Sequence, residues 1–262
     1  MEWTLEYAQG RAMMVRRFGT GPELVWIHGL GEWSVSFHPV VAHPALAGFR
    51  HTLVDLPGYG RSPWPDEPDD LEQLADRLAA WLADHHARTG SRPVVIGHSM
   101  GGVLATLLGE RDVARAVIDI DGNLSPGDCN FSARAAAYTY DDFVAHGFAT
   151  MHDQVFGGGV LQPATRTYYG AMCVASPRMY HHHAGQLVAL SAPENLASRL
   201  AKLAVPALFI AGVPDGICAR SRELLTAHGV RWVGVEPAGH WVYLDQLDGF
   251  VQAVTSFLAE QA

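Results

Sequence analysis

The sequence has little lysine, no cluster of basic residues and no long apolar run. Only Lys202 among the 18 basic residues is lysine, and 27 acidic residues give a net charge of −9. Nucleic-acid-binding surfaces need clustered Lys and Arg, so we expect no nucleic-acid partner. The longest nearly apolar stretch, 203–213, is far shorter than the roughly 20 residues that a membrane helix needs, so we also expect no membrane segment.

Cysteine is also scarce. The three cysteines are Cys129, Cys173 and Cys218, and no two of them form a C-x-x-C pair. This spacing supports neither a disulfide framework nor a zinc ribbon. The N-terminal residues have no basic region and no apolar signal core. We therefore expect a soluble, cytoplasmic protein with reduced thiols, and the preference for Arg over Lys suggests a bacterial gene.

The pattern of apolar residues predicts an α/β protein of one large domain with an insertion. In residues 1–120 and 201–262, short β-rich runs alternate with helical periodicity, which predicts a mostly parallel sheet with helices on both faces. Residues 121–200 contain nine aromatics and no clear strand, and they predict a helical cap or lid. The predicted strands are 3–7, 12–18, 24–28, 51–55, 93–97, 113–120, 205–212 and 230–236, and the predicted helices are 69–86, 103–109, 218–228 and 241–259.

The clearest chemical signal is the run Gly97-His98-Ser99-Met100-Gly101-Gly102, which fits G-x-S-x-G. A predicted strand precedes it and a predicted helix follows, as this motif requires. Such a turn exposes the serine hydroxyl above the sheet, while the glycines let strand and helix pack closely. Ser99 is therefore the predicted nucleophile, and the N–H of Met100 at the helix start is a predicted donor to an oxyanion.

A second glycine-containing turn, His28-Gly29-Leu30-Gly31, follows the predicted strand 24–28. Acyl transfer needs two donors aimed at the tetrahedral oxygen, and the second comes from a loop after an earlier strand. We predict that the Leu30 N–H is this second donor. His28 is predicted to brace the loop rather than to take part in chemistry.

These motifs resemble the α/β-hydrolase fold superfamily. The resemblance rests on His28-Gly29-Leu30-Gly31, Asp55-Leu56-Pro57-Gly58-Tyr59-Gly60-Arg61-Ser62, Gly97 to Gly102, and Pro237-Ala238-Gly239-His240. It implies an eight-stranded, mostly parallel sheet with a lid inserted after the sixth strand. No motif matches the insertion itself.

A serine hydroxyl needs a general base and an orienting carboxylate. His240 follows the last predicted strand and precedes the last helix, and the resemblance selects the same residue as the base. Asp215, in Gly212-Val213-Pro214-Asp215, matches the superfamily's usual position for the acid. Asp121 ends the preceding predicted strand and is the alternative acid, because some members carry it there.

The sequence predicts no metal site or cofactor site at its other histidines. Three adjacent side chains, His181 to His183, cannot all face one metal from a helix or a strand, so we predict neither a metal nor a cofactor. Scattered arginines in the lid leave a phosphorylated carrier open as part of the substrate.

The motifs together predict a serine hydrolase that cleaves an ester or thioester through an acyl-enzyme. A serine at position 99 argues against a dehalogenase or an epoxide hydrolase. By the resemblance, these members of the superfamily have an aspartate at that position. A carbon–carbon hydrolase or lyase, a cofactor-free haloperoxidase-like perhydrolase and a non-catalytic small-molecule receptor remain alternatives. We expect a small apolar or aromatic substrate, with most lid aromatics forming the lid's own core. The oligomeric state is left open.

Overall fold

A computed structural model describes residues 2–261 and contains one sheet of eight strands. The strand order is β1-β2-β4-β3-β5-β6-β7-β8. The pairs β1–β2 and β2–β4 are antiparallel and the other pairs are parallel, so the predicted fold class is confirmed. The strands are β1 (Glu2–Ala8), β2 (Arg11–Phe18), β3 (Glu23–Ile27), β4 (Arg50–Asp55), β5 (Val94–His98), β6 (Ala116–Ile120), β7 (Ala207–Asp215) and β8 (Trp232–Gly239).

Helices connect the strands, and in the described part of the chain none of them is long and apolar enough to cross a membrane. They are α1 (His38–Val41), α2 (Leu71–Thr89), α3 (Met100–Glu110), α4 (Asn130–Ala136), α5 (Tyr140–Asp142), α6 (Phe148–Gly159), α7 (Pro163–Met172), α8 (Pro177–Ser191), α9 (Leu196–Ala201), α10 (Ala219–Ala227), α11 (Val242–Asp245) and α12 (Leu247–Ala259).

The central strands position the site because they are covered on both faces. Every residue of β3, β5 and β6 is buried, which explains why these segments read as apolar runs without alternation. Only the ends of such strands are free to present side chains. In parallel strands the carboxyl ends meet at one edge of the sheet, and ligand sites form at that edge.

Helices α4 to α9 lie between β6 and β7, in the segment predicted to be helical. Of the residues described in this segment, Ala175 makes an isolated bridge to Tyr59 and none belongs to a named strand. The division of the chain into domains at residues 121 and 200 stays a prediction.

Most aromatic side chains of this segment pack inside the protein, as expected. Phe143, Tyr168 and Tyr180 are buried, and the rings of Phe143 and Tyr180 stack with centroids 5.8 Å apart. Phe131, Phe148 and Tyr169 are partly buried against the core. The exposed aromatics of the segment are Tyr138, Tyr140 and Phe156.

The prediction of one continuous helix over 241–259 is wrong. Helix α11 ends at Asp245 and α12 begins at Leu247, because Gln246 between them has a non-helical backbone with φ −139° and ψ 67°. The apolar periodicity continues through the break, so the sequence pattern did not reveal it.

Asp119 is a buried carboxylate in β6 beneath the start of α3. Its Oδ1 accepts a hydrogen bond from the Gly122 N–H at 2.9 Å, and a Cβ added at Gly102 would lie 2.1 Å from the same oxygen. Burial raises the pKa of Asp119 to about 7, although the hydrogen bond from Gly122 opposes this shift.

The raised pKa predicts how stability depends on pH. Asp119 binds a proton in the folded state at pH values where the unfolded chain has lost it, so its contribution to stability is lost as the pH rises from about 4 through 7. Relative to Asp119→Asn, the wild-type free energy of unfolding is expected to fall by up to about 4 kcal/mol across this range. Urea unfolding of both proteins between pH 4 and 8 measures the difference, and a difference that does not change with pH would contradict it.

Candidate active site

Ser99 lies in a strained turn between the end of β5 and the first residue of α3. Its backbone angles are φ 54° and ψ −118°, a conformation that residues other than glycine rarely adopt. Its N–H donates to the Ile120 carbonyl at 2.8 Å, which ties the turn to the end of β6. Strain of this kind costs about 1–3 kcal/mol and is concentrated at functional sites.

Two glycines make this turn possible. A Cβ added at Gly97 would lie 1.8 Å from the Gly101 carbonyl oxygen, and one added at Gly101 would lie 2.1 Å from the Ile27 carbonyl oxygen. No other residue fits at either position, because both contacts are with backbone. The strand–turn–helix geometry that the motif predicts is therefore present.

The loop predicted to supply an oxyanion donor lies beside this turn. It follows β3, and a Cβ at Gly29 would be 3.1 Å from the Ser99 Cβ. Leu30 and Ser99 line the same small cavity. Met100 is the first residue of α3, so its N–H is one of those that a helix leaves without an intrahelical acceptor.

His28 braces this loop through both ring nitrogens. Its Nε2 accepts from the Leu56 N–H at 3.0 Å, so Nδ1 carries the proton and donates to the Gly29 carbonyl at 2.9 Å. Burial lowers the pKa of His28, which keeps this tautomer neutral. These contacts agree with the bracing function expected of it.

His240 directly follows β8 and lines the same cavity as Ser99. Burial, with a smaller contribution from the neighbouring His98 and against the effect of Glu32, lowers the pKa of His240 to about 3. The imidazole is therefore neutral, which is the form that a general base needs. In the described chain no hydrogen bond joins the Ser99 and His240 side chains, and such bonds often tighten only when substrate binds.

Asp121 is the carboxylate that the structure places next to His240. Its Oδ2 is 3.8 Å from the His240 Nδ1 and has no hydrogen-bond partner among residues 2–261. Its Oδ1 accepts from the Gly212 N–H at 3.0 Å. Burial raises the pKa of Asp121 well above its usual value, and its backbone is strained, with φ 46°.

Asp215, which sequence reasoning preferred as the acid, lies elsewhere. Strand β7 continues to Asp215 instead of ending at Gly212 as predicted, and there Asp215 pairs with Gly239 at the sheet edge. Its carboxylate is exposed and makes no hydrogen bond or ion pair to any side chain that the structure describes. Asp215 lines the outer cleft together with His240, but among the described residues the carboxylate within 4 Å of an imidazole nitrogen of His240 is that of Asp121, the alternative acid.

Sequence reasoning missed two residues beside the site, Glu32 and His98. Both side chains are buried, and the His98 Nε2 donates to the His240 carbonyl at 2.9 Å. Both lie within or next to the two glycine motifs, which is the only signal that the sequence offered. Their mutual contact joins residues 66 positions apart, which no spacing pattern predicts.

The three adjacent histidines form contacts of their own. His183 is buried and makes two hydrogen bonds: its Nδ1 is 2.8 Å from the Tyr59 hydroxyl, and its Nε2 donates to the Asp69 carbonyl at 3.1 Å. These bonds hold α8 against the core. The His181 Nε2 donates to the Tyr138 carbonyl. Within residues 2–261 no three His, Cys, Asp or Glu side chains are arranged to hold a metal ion.

Two cavities meet at His240. The inner cavity has a volume of about 30 Å³, which is room for about two water molecules. The outer cleft has a volume of about 630 Å³. The inner cavity is lined by Leu30, Glu32, Ser99, Asn123, Asp128, Phe131, Ser132, Tyr168, Leu187, His240 and Trp241. The outer cleft shares Asp128, Phe131, His240 and Trp241 with it.

A family model described as the alpha/beta hydrolase fold matches residues 22–247. The chain therefore belongs to the alpha/beta hydrolase fold family.

Individual relatives match this chain either over a short stretch or at low identity. The chain is similar to a pimeloyl-[acyl-carrier protein] methyl ester esterase of Aeromonas hydrophila, at 40% identity over 99 residues, which cover 37% of this chain and 35% of that one. The chain thus spans about a third of the length of the first curated relatives it matches. A protein of the same name from Shewanella sp. is 24% identical over 92% of both chains. Among solved structures, the enol-lactonase of Burkholderia xenovorans LB400 aligns over 97% of this chain and 100% of that one, with a TM-score of 0.79 and 24% identity.

The environment of His240 predicts its titration. Because its pKa is lowered to about 3, the ring is expected to stay neutral from pH 8 down to below pH 5. Nitrogen-15 NMR of labelled imidazoles measures this, with the His240 signals assigned by their loss in His240→Gln. A midpoint near 6.5, the value of a free histidine, would contradict the predicted environment.

Proposed function

We propose that the protein is a serine hydrolase that cleaves a carboxylic ester or thioester through an acyl-enzyme. The observation that carries this proposal is the strained Ser99 in one cavity with a neutral His240, behind which lies an unpaired carboxylate oxygen of Asp121. This is the set of groups that activates a serine. The relative from Aeromonas hydrophila is named a methyl ester esterase, which supports an ester bond as the target.

In this proposal the two ring nitrogens of His240 have different tasks. Its Nδ1 faces Asp121, which leaves Nε2 to take the proton of the Ser99 hydroxyl as the oxygen attacks the carbonyl carbon. The N–H groups of Leu30 and Met100 stabilise the oxyanion. Collapse of this intermediate breaks the bond to the alcohol or thiol, which leaves with the proton from Nε2. Water then attacks the acyl-enzyme, with His240 as the base and the same two N–H groups at the oxyanion, and the acid is released.

We assign the orienting carboxylate to Asp121 in place of Asp215. The 3.8 Å gap to His240 needs to close by only about 1 Å for a charge-assisted hydrogen bond. The imidazolium that forms during the reaction favours the ionised carboxylate and offsets the effect of burial. Asp215 is exposed, and its carboxylate lines the outer cleft.

The two cavities hold different parts of the substrate in this proposal. The inner cavity at Ser99 has room for a short acyl group such as acetyl, whereas the outer cleft has room for a larger leaving group. The described lining of the outer cleft includes Asp215 and Asp245 but no Lys or Arg. This composition favours an uncharged alcohol or thiol over a phosphorylated carrier, whose anion would meet like charge.

The first test compares wild type with Ser99→Ala on p-nitrophenyl esters. The wild type is expected to hydrolyse the acetate with a burst of p-nitrophenolate and to lose at least 10-fold in kcat/KM on the decanoate, because the inner cavity is small. Ser99→Ala is expected to lose nearly all turnover, by about 10⁵-fold or more in kcat. Equal rates for the two proteins would overturn the hydrolase proposal in favour of a receptor of the same fold.

The second test separates the two acids. Asp121→Asn is expected to lower kcat by roughly 10³–10⁴-fold, because the amide favours the wrong tautomer of His240. Asp215→Asn is the matched control, and it is expected to change kcat less than 3-fold. If the Asp215 variant loses activity and the Asp121 variant does not, the assignment of the acid is reversed.

A further inference from the structure

Glu32 is a buried carboxylate whose hydrogen bonds reach three separate parts of the site. Its Oε2 accepts from the Gly29 N–H at 2.9 Å, next to the proposed oxyanion donor Leu30. Its Oε1 accepts from the Trp241 indole N–H at 2.6 Å. The His98 Nδ1 lies 3.0 Å from Oε1. The side chain is 2% exposed, so these donors take the place of water around the charge.

His98 faces an acceptor on each side. Its Nδ1 faces the Glu32 carboxylate, and its Nε2 faces the His240 carbonyl at 2.9 Å. A carboxylate and a carbonyl only accept hydrogen bonds, and the Tyr243 hydroxyl, 3.5 Å from Nδ1, can also accept. This arrangement is satisfied when both ring nitrogens carry protons and His98 is an imidazolium paired with Glu32. Burial works against the charge on Glu32, but His98 together with the hydrogen bonds from Gly29 and Trp241 outweighs it, and the pKa of Glu32 is lowered to about 2.

This ion pair joins the three segments that carry the proposed chemistry. Glu32 holds the loop after β3 through Gly29, His98 directly precedes Ser99, and His98 also holds the backbone of His240. The three segments are far apart in the sequence. At the shared edge of the sheet, these hydrogen bonds fix their relative positions.

A buried ion pair is weak evidence of stabilisation, because the desolvation of two charges offsets their attraction. An apolar pair of similar volume would fill the same space, but it would not offer a carboxylate to Gly29 and Trp241 or a donor to His240. The contacts therefore point to a function in holding the site rather than in holding the fold.

We propose that the Glu32–His98 ion pair is a positioning pair, which sets the locations of Leu30, Ser99 and His240 relative to one another. The pair acts through Leu30, Ser99 and His240, which are the residues proposed to contact the reacting carbonyl and to transfer the proton. This inference rests on the proposed function.

The pair also affects the charge state of the base. The described charged or titratable groups that contact His240 or line its two cavities come from several elements. They are His98 at the end of β5, Glu32 after β3, Asp121 after β6, Asp128, Tyr168, Asp215, Cys218 and Asp245. The His98 and His240 rings are 4.7 Å apart. His98 lowers the pKa of His240, so removing its charge is expected to raise that pKa.

The first experiment reads the protonation of His98 directly. Nitrogen-15 NMR of the wild-type protein at pH 7.5 is expected to show an imidazole with both nitrogens protonated that disappears in His98→Gln. A His98 ring with one unprotonated nitrogen at this pH would overturn the ion pair and the proposal with it.

The second experiment uses a matched control within the chain. Glu23 and His85 form another buried pair, with 2.6 Å between Oε2 and Nε2, on strand β3 and helix α2. Glu32→Gln is expected to lower kcat on p-nitrophenyl acetate at least 10-fold with KM changed less than 3-fold. Glu23→Gln is expected to leave both constants within 2-fold of the wild type. It is expected to lower Tm by about as much as Glu32→Gln does.

The pH profile distinguishes a positioning function from a purely structural one. His98→Gln is expected to move the acid limb of kcat/KM to higher pH, whereas a variant that only weakens the fold leaves the limb in place. If wild type shows Ser99-dependent turnover but Glu32→Gln behaves like Glu23→Gln, the positioning proposal is wrong and the proposed function stands. If wild type shows no Ser99-dependent turnover, the proposed function itself fails.

Discussion

The structure depends on the close approach of two backbone segments at Gly97 and Gly101. With 1.8 Å between an added Cβ and the opposing carbonyl oxygen, this contact permits no side chain and forces the chain to turn within one residue. Ser99 takes up the strain of that turn with a positive φ. Helix α3 compensates for it, because every residue from Met100 to Gly109 is buried. His98, Ser99 and Met100 are placed by this one constraint.

The parallel sheet brings the other groups to the same edge. Leu30 follows β3, Asp121 follows β6 and His240 follows β8, and these strands are neighbours of β5 or lie close to it in the strand order. The carboxylates collected there are buried, and each accepts a hydrogen bond from a backbone N–H of a nearby turn. Such bonds replace part of the hydration that these groups lose on burial.

The fold and half of the site could be predicted because their signals are local. The strands are apolar runs, and the turns at residues 28–31 and 97–102 carry their glycines in a recognisable order. The acid could not be selected in this way, since Asp121 and Asp215 both follow predicted strands. What separates them is burial and contact: Asp121 is buried with Oδ2 3.8 Å from the His240 Nδ1, whereas Asp215 is exposed, and neither property is visible before the strands are paired. Glu32 and His98 were missed because their contact joins residues 66 apart, and the break at Gln246 was missed because periodicity continues across it.

Covalent labelling of Ser99 measures directly whether its hydroxyl is activated. A fluorophosphonate reacts with a serine only when a base activates it and donors stabilise the resulting oxyanion. Intact mass and peptide mapping are expected to show one phosphonyl group per chain, on Ser99, and none on Ser99→Ala. A folded protein that gains no adduct, or that gains it on another residue, would contradict the account of Ser99 as an activated nucleophile.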